Sequence, residues 1–401
     1  MAANTSKGIT YPTSGDSITP LESVFAVMAS TTNTALGAIN AGTDITAGTL
    51  PIARGGTGGT TQATAAAALG VLPLSSYYAA GKNCIINSAF DVWQRASGVT
   101  SLTQSSFSGY SYFADRWRYG ATGGTGKTVV QSQITFSPGT APVSGYEGKF
   151  YLRVSTTVTG SGYTYEGVEQ PIEDVRTFAG STVTVSFWAK TTSSSINFTP
   201  KLTQYFGSGG SADVVTSGST ILVTTSWTRF TQTFTVPSVS GKTLVDGSSL
   251  IFAITPNTGN TLYTLDLWGV QIEQGSIATP FTTASETFAG ELALCQRYYY
   301  RLYNSSGTAT TFATGVRFST TVAWIHLRFP NTMRVAPSAL ESSGTVNIVT
   351  TTGLDASSTT FGEANPDGVR LASTTTAVAA AGVGVIARLN ASAYVGFSAE
   401  I

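Results

Sequence analysis

The chain reads as mainly β, with an antiparallel sandwich at its centre, and three observations carry that reading. Between Tyr77 and about Pro280, short runs rich in β-branched and aromatic residues follow one another, separated by Gly, Ser, Pro and Asn. Aromatic residues make up 11% of the 401 residues, ample material for cores. No long helical pattern alternates with the strands, so a βαβ fold is disfavoured.

The elements follow in chain order. Residues 1–76 are rich in Thr, Ala, Gly and Asn and hold only Tyr11 and Phe25 as aromatics. A segment this poor in apolar bulk buries little surface alone, and several copies wound about an axis would solve that problem. It is predicted to be an extended shaft. Within it, Leu50–Leu74 (LPIARGGTGGTTQATAAAALGVLPL) places two Gly-Gly pairs before a short Ala-rich helix, capped by Thr60 or Thr61 and ended by Gly70.

Residues 77–284 form the predicted sandwich. Its strands include Lys149–Ser155, Ser181–Lys190, Thr228–Val236, Leu250–Thr255 and Leu262–Glu273. Alternation assigns Val183, Val185, Phe187 and Ala189 to one face of the second run, and Thr184, Ser186 and Trp188 to the other. Phe230, Phe234 and Val236 point inward from the third run while Arg229 points out. Residues 285–298 (SETFAGELALCQRY) are predicted to form a linking helix with a Ser cap, early acids and a late Arg. Residues 299–401 return to β as a separate, smaller domain.

Charge narrows the function. Only 10% of residues are charged and the net charge is zero, against about 25% charged in an ordinary soluble domain. Such a chain lacks the attraction that nucleic acid or an anionic membrane surface needs. No apolar run approaches a membrane span, and no secretory signal is evident. Cys84 and Cys295 sit beside apolar residues and read as buried thiols, a disulfide being the alternative.

Ala121–Thr128 (ATGGTGKT) fits a relaxed phosphate-loop pattern. Its surroundings refuse it. Charged ADRWRYG precedes it and strand-like TVVQSQITF follows, so no helix N-terminus would face a phosphate. A glycine-rich hairpin is expected. His326 is the only histidine, which leaves a Ser-His-Asp arrangement and a zinc site little to work with. Glu166, Glu169, Glu173 and Asp174 cluster in sequence, but clustering is not convergence on a sugar bond. No catalytic residue, cofactor or metal ligand is assigned.

Binding a sugar asks for less: an exposed aromatic under the pyranose ring, with polar groups for the hydroxyls. Trp188 is the sequence's candidate platform, because Thr184 and Ser186 share its face. Tyr163 and Tyr165, in a Gly-bounded stretch, are candidates to line it. Trp268 is expected in the core, and Trp93 and Trp117, beside Asp91, Arg95, Asp115 and Arg116, are expected to knit the sandwich together.

LPIARGGTGGTTQATAAAALGV resembles the collar motif of bacteriophage tail fibres. NCIINSAFDVWQR (83–95), ADRW (114–117), VEQPI (168–172), GSTVTVSFWAK (180–190), Trp227–Pro237 and LWGVQIEQGSIATPF (267–281) resemble fibre domains with a carbohydrate-binding-module jelly roll. ELALCQRYYYR (291–301) and FPNTMRVAPS (329–338) are similar to the segment that follows in such fibres. The first 49 residues and the stretch after 340 fall outside the resemblance, except the ending ASAYVGFSAEI. The resemblance implies a homotrimeric fibre of the virion, made in the host cytoplasm. Its N-terminus would attach to tail or baseplate proteins, and its distal β domains would meet a host cell-surface glycan. The alternatives are a glycan-degrading fibre and a purely structural one whose receptor-reading tip is another chain.

Overall fold

The structure, a computed structural model, describes residues 3–4, 10–11, 65, 82–95, 101–143, 146–257, 261–377 and 379–401. Backbone contacts divide the chain into Met1–Tyr77 and Tyr78–Ile401. In the first unit, β1 (Ala3–Asn4) pairs antiparallel with β2 (Thr10–Tyr11). The shaft and the Ala-rich helix expected there otherwise lie outside the described residues.

The second unit is built from antiparallel strands, as the alternating runs predict. Its first part holds β3 (Ser101–Phe107), β4 (Gly109–Tyr112), β5 (Arg118–Thr122), β6 (Lys127–Thr135), β7 (Phe150–Val158) and β8 (Tyr165–Glu173). There follow β9 (Thr182–Thr191), β10 (Ile196–Tyr205), β11 (Val214–Ser217), β12 (Ile221–Val223), β13 (Thr228–Thr235), β14 (Ser249–Pro256) and β15 (Tyr263–Gln274). One sheet runs β11-β10-β14-β8-β5-β4, with β12 also on β10, and the other runs β13-β9-β15-β7-β6-β3. Their inner faces share one core. Val168, Phe198, Leu202, Phe252 and Ile254 come from the first sheet; Val154, Val183, Val185, Phe187, Ala189 and Leu265 come from the second. The inward set expected on β9 is therefore in the core. Trp93, Trp117 and Trp268 are buried, as expected.

The outer face of the second sheet is covered by the chain itself. Trp188, Trp268, Phe281, Tyr146 and Phe136 pack there edge to face or tilted, with ring centroids 4.9–6.1 Å apart. A bulge at Gly269, whose φ of +63° suits glycine, sets Trp188 against Trp268. A side chain there would stand 2.7 Å from the Trp188 ring.

A helix, α1 (Phe288–Gln296), follows. Its cap is Thr287, which accepts from Gly290 N, rather than the expected Ser285. Ser285 N instead donates to the buried Glu291 carboxylate at 2.8 Å, and Asn87 N does so at 2.7 Å. Cys84 and Cys295 are both free thiols, and burial pushes both pKa values up.

The C-terminal strands are β16 (Tyr299–Tyr303), β17 (Thr310–Arg317), β18 (Val322–Arg328), β19 (Ala339–Ser343), β20 (Val346–Val349) and β21 (Gly353–Asp355). They continue with β22 (Ser358–Asn365), β23 (Gly368–Thr374), β24 (Gly384–Leu389) and β25 (Tyr394–Ser398). A three-stranded sheet β16-β25-β19 and a seven-stranded sheet β21-β20-β24-β17-β18-β23-β22 enclose a second core around Ile325, Leu371, Ala387 and Phe397. Arginines tie it to the sandwich. Glu400 bridges Arg95 and Arg116, whose guanidinium groups lie 3.5 Å from the ring centroids of Tyr299 and Tyr298.

Candidate functional site

The expected platform is corrected by the fold. Trp188 is only 7% exposed. Phe281 and Trp268 pack against it, and the Arg229 guanidinium stacks 4.7 Å from its ring centroid. Thr184 and Ser186 share its face, as alternation requires, but both are fully buried. Thr184 Oγ1 donates to Gly275 O at 2.8 Å, and Ser186 Oγ accepts from Arg229 Nη2 at 3.1 Å. No ring or hydroxyl of this set is presented to solvent as a stacking surface.

Tyr163 and Tyr165 lie elsewhere, against the first sheet. Tyr163 is wedged between the glycines of the 123–126 turn and Gly160, and its hydroxyl accepts from Lys127 N at 3.1 Å. That turn is glycine-rich as expected, and Gly123 and Gly126 have φ of +84° and +81°, but it is not a hairpin. β5 enters it from the first sheet and β6 leaves it in the second, so it crosses between sheets. Lys127 is fully buried and pairs with Glu166 at 2.7 Å, so it reaches no phosphate.

Tyr165 stands on the outer face of the first sheet, where Gly167, Glu169 and Ala253 are buried while Tyr110 is exposed and Arg118 and Lys201 are half-buried. Strand register places Tyr110 opposite Gly120, and Gly120 opposite Gly167. With no Cβ at either glycine, the sheet has a flat floor. The rings of Tyr110 and Tyr165 lean over it, each within 3.0 Å of where a Gly120 Cβ would stand. Tyr110 is 54% exposed. One row along, Tyr112, Arg118, Glu169, Ala253 and Lys201 follow one another across the strands on this same side. Tyr205 and Asp213, from β10 and the loop before β11, act electrostatically on the Tyr110 phenol from four strands away.

The polar groups of this face are held in place. Arg118 Nε donates to Glu169 Oε1 at 2.6 Å, and the Tyr165 hydroxyl donates to the other Glu169 oxygen. The Arg118 guanidinium also stacks 4.3 Å from the Tyr110 centroid. Burial, reinforced by the Glu169 charge, pushes the Tyr110 and Tyr165 phenols above their ordinary range, so both stay neutral hydrogen-bond donors. A cavity of about 190 Å³ lies beside Tyr165, lined by Lys201, Thr255 and Asn257 among others.

The four clustered acids do not converge. Glu166 faces the interior with Lys127 and Tyr119, and Glu169 faces outward with Arg118. Glu173 takes Arg297 and the Tyr298 hydroxyl, and Asp174 pairs with Arg176. His326 is exposed on β18, beside Trp324 and opposite Arg370, as its alternation predicts. Among the described residues, no group of three or more His, Cys, Asp or Glu could hold a metal ion, and no helix is long and apolar enough to cross a membrane.

Sequence reading missed Tyr110, Arg118, Glu169, Lys201 and Tyr205 as a set. The signal was present in GYSYF (109–113), where alternating tyrosines share a face, and in two glycines placed across from one another.

Residues 117–252 match the family described as Carbohydrate binding domain. Among curated proteins none matches. The CBM22-1 xylan-binding domain of Paenibacillus barcinonensis Xyn10C is 16% identical, covering 44% of this chain and 95% of that one, with a TM-score of 0.28. A family 11 carbohydrate-binding module from Clostridium thermocellum, in complex with a mixed-linked tetrasaccharide, is 19% identical over 45% of this chain and 98% of that one, with a TM-score of 0.27. The enzymatically active domain of bacteriophage CBA120 tailspike protein 4 is 12% identical over 51% of this chain and 25% of that one, with a TM-score of 0.30. The matched stretch runs from the end of the Tyr112–Trp117 turn into β14; it includes Gly120, Tyr165 and Gly167 and leaves out β4 with Tyr110.

Proposed function

We propose that this chain is a homotrimeric tail fibre of a bacteriophage particle that holds a host-surface glycan, without cleaving it, on the outer face of its first sheet. One observation carries the binding reading: two tyrosine rings lie over a side-chain-free floor of Gly120 and Gly167, beside fixed polar groups. A pyranose ring needs that combination of an apolar face and in-plane donors and acceptors. The match of residues 117–252 supports it. The collar-like LPIARGGTGG and the order of the motifs after it support the fibre. Residues 1–76 would anchor the fibre to tail or baseplate proteins. Three faces per assembly would add avidity to individually weak sites. The separate placement of Glu166, Glu169 and Glu173 supports binding over hydrolysis.

The test is a glycan array probed with the full chain and with Tyr110→Ala, alongside the native mass. The wild type binds a defined glycan, the variant loses at least about tenfold in affinity, no reducing ends are released, and the particle weighs three times 41.6 kDa. Binding that survives Tyr110→Ala unchanged would remove the tyrosine face from the account.

A further inference from the structure

The seam between the sandwich and the C-terminal sheets holds a second cavity, of about 400 Å³, to which both parts contribute. Asp174 and Arg176 come from the turn after β8, Val245 and Asp246 from the loop before β14, and Val335 and Ile401 from the C-terminal part. Ile401 joins this cavity to the tyrosine face. Its carbonyl oxygen accepts from Arg118 Nη1 at 2.9 Å and from the Tyr112 hydroxyl at 3.0 Å. The matched family stretch ends at residue 252, well short of Val335 and Ile401, so this wall belongs to the chain's own architecture.

We infer that the seam cavity is a further subsite, which takes a neutral saccharide unit attached to the glycan held on the Tyr110–Tyr165 face. The inference rests on the sugar-binding reading above. Val245 and Val335 are both exposed and supply apolar wall. Asp174 and Arg176, paired at 3.2 Å and open to water, supply an acceptor and a donor side by side, as a sugar hydroxyl uses. Asp246 adds a further acceptor. With Glu173 and Arg334, which also line the cavity, three acids stand against two arginines. No net positive charge results, so a uronate or other anionic sugar gains nothing here. A unit in the seam is tethered to the unit on the tyrosine face. Its binding is therefore intramolecular, and a small contact yields a measurable gain.

The experiment uses the full chain on an array of neutral and uronate-containing bacterial oligosaccharides of graded length, about two to eight units. Val335→Trp fills the seam, and Asp246→Ala empties its rim. Both are solvent-exposed changes. The expected result is that the wild type binds longer or branched neutral glycans at least about tenfold more tightly than the shortest ones it binds. Both variants lose that gain while the shortest ligands bind as before. Variants that match the wild type at every length overturn the subsite while leaving the tyrosine face intact. An array on which the wild type binds nothing, or on which Tyr110→Ala binds as well as the wild type, instead overturns the reading of the face and the subsite with it.

Discussion

Tyr110 and Gly120 face one another across β4 and β5, and a Cβ built on Gly120 would stand 2.9 Å from the Tyr110 ring. The aromatic surface exists because the position beneath it has no side chain. Gly120→Ala therefore acts on the tyrosines rather than on the core. Tyr110 is half exposed and can swing away, but the Tyr165 ring stands as close and is tied to Glu169, so stability should fall by about 1 kcal/mol. The ring that leaves is the one that stacks. Glycan affinity should fall on the order of tenfold, read by titration calorimetry at a temperature where urea unfolding shows the variant fully folded. Unaltered affinity would mean that the rings bind in some other pose, or not at all.

Trp188 makes the opposite case. It sits beneath Phe281 and against Trp268, with Arg229 stacked on it. Trp188→Ala removes a large buried ring and should cost about 3–5 kcal/mol. At a temperature where the variant remains folded, its glycan affinity should equal that of the wild type. Chemical denaturation checks the first half and calorimetry the second. A stable variant that no longer binds would return the site to β9.

The contrast between these two residues shows what the sequence could and could not reveal. Alternation correctly sorted Val183, Val185 and Phe187 from Thr184, Ser186 and Trp188, because period two is a local property of a strand. Whether the second face meets water is not local. The segment that covers it, Gly275–Ala284, lies some ninety residues further on and reaches back through Thr184 and Phe281. Nothing in Thr182–Thr191 itself encodes that cover. The tyrosine face was hidden for the same reason. Tyr110, Gly120 and Gly167 become neighbours only when β4, β5 and β8 pair, and each alone is an unremarked residue in a short run. The glycine-rich ATGGTGKT turn was legible because its context is contiguous. The burial of Lys127 against Glu166 was not, because that partner arrives from another strand.

Acidity should report on the seam. Asp115 is fully buried between the sandwich and the C-terminal part, and burial holds its carboxyl up to about 6, despite the Arg95 charge and two bonds from Gln94 that favour the anion. In the unfolded chain the same group titrates near 4. The native state thus binds this proton more tightly. Its contribution to stability is complete below about pH 4 and is lost as pH rises through about 6, an effect of at most about 3 kcal/mol. Asp115→Asn keeps the shape and an acceptor for Gln94 but cannot ionise. Urea unfolding of both proteins at pH 4, 5, 6 and 7 should therefore show a stability difference that shifts in favour of the Asn variant as pH rises, with most of the change between pH 4 and 6. A difference that stays flat over that range would show that Asp115 titrates alike in the folded and unfolded chain. The anion would then be fully compensated by Arg95 and Gln94, and the seam would carry no acid-sensitive charge at this position.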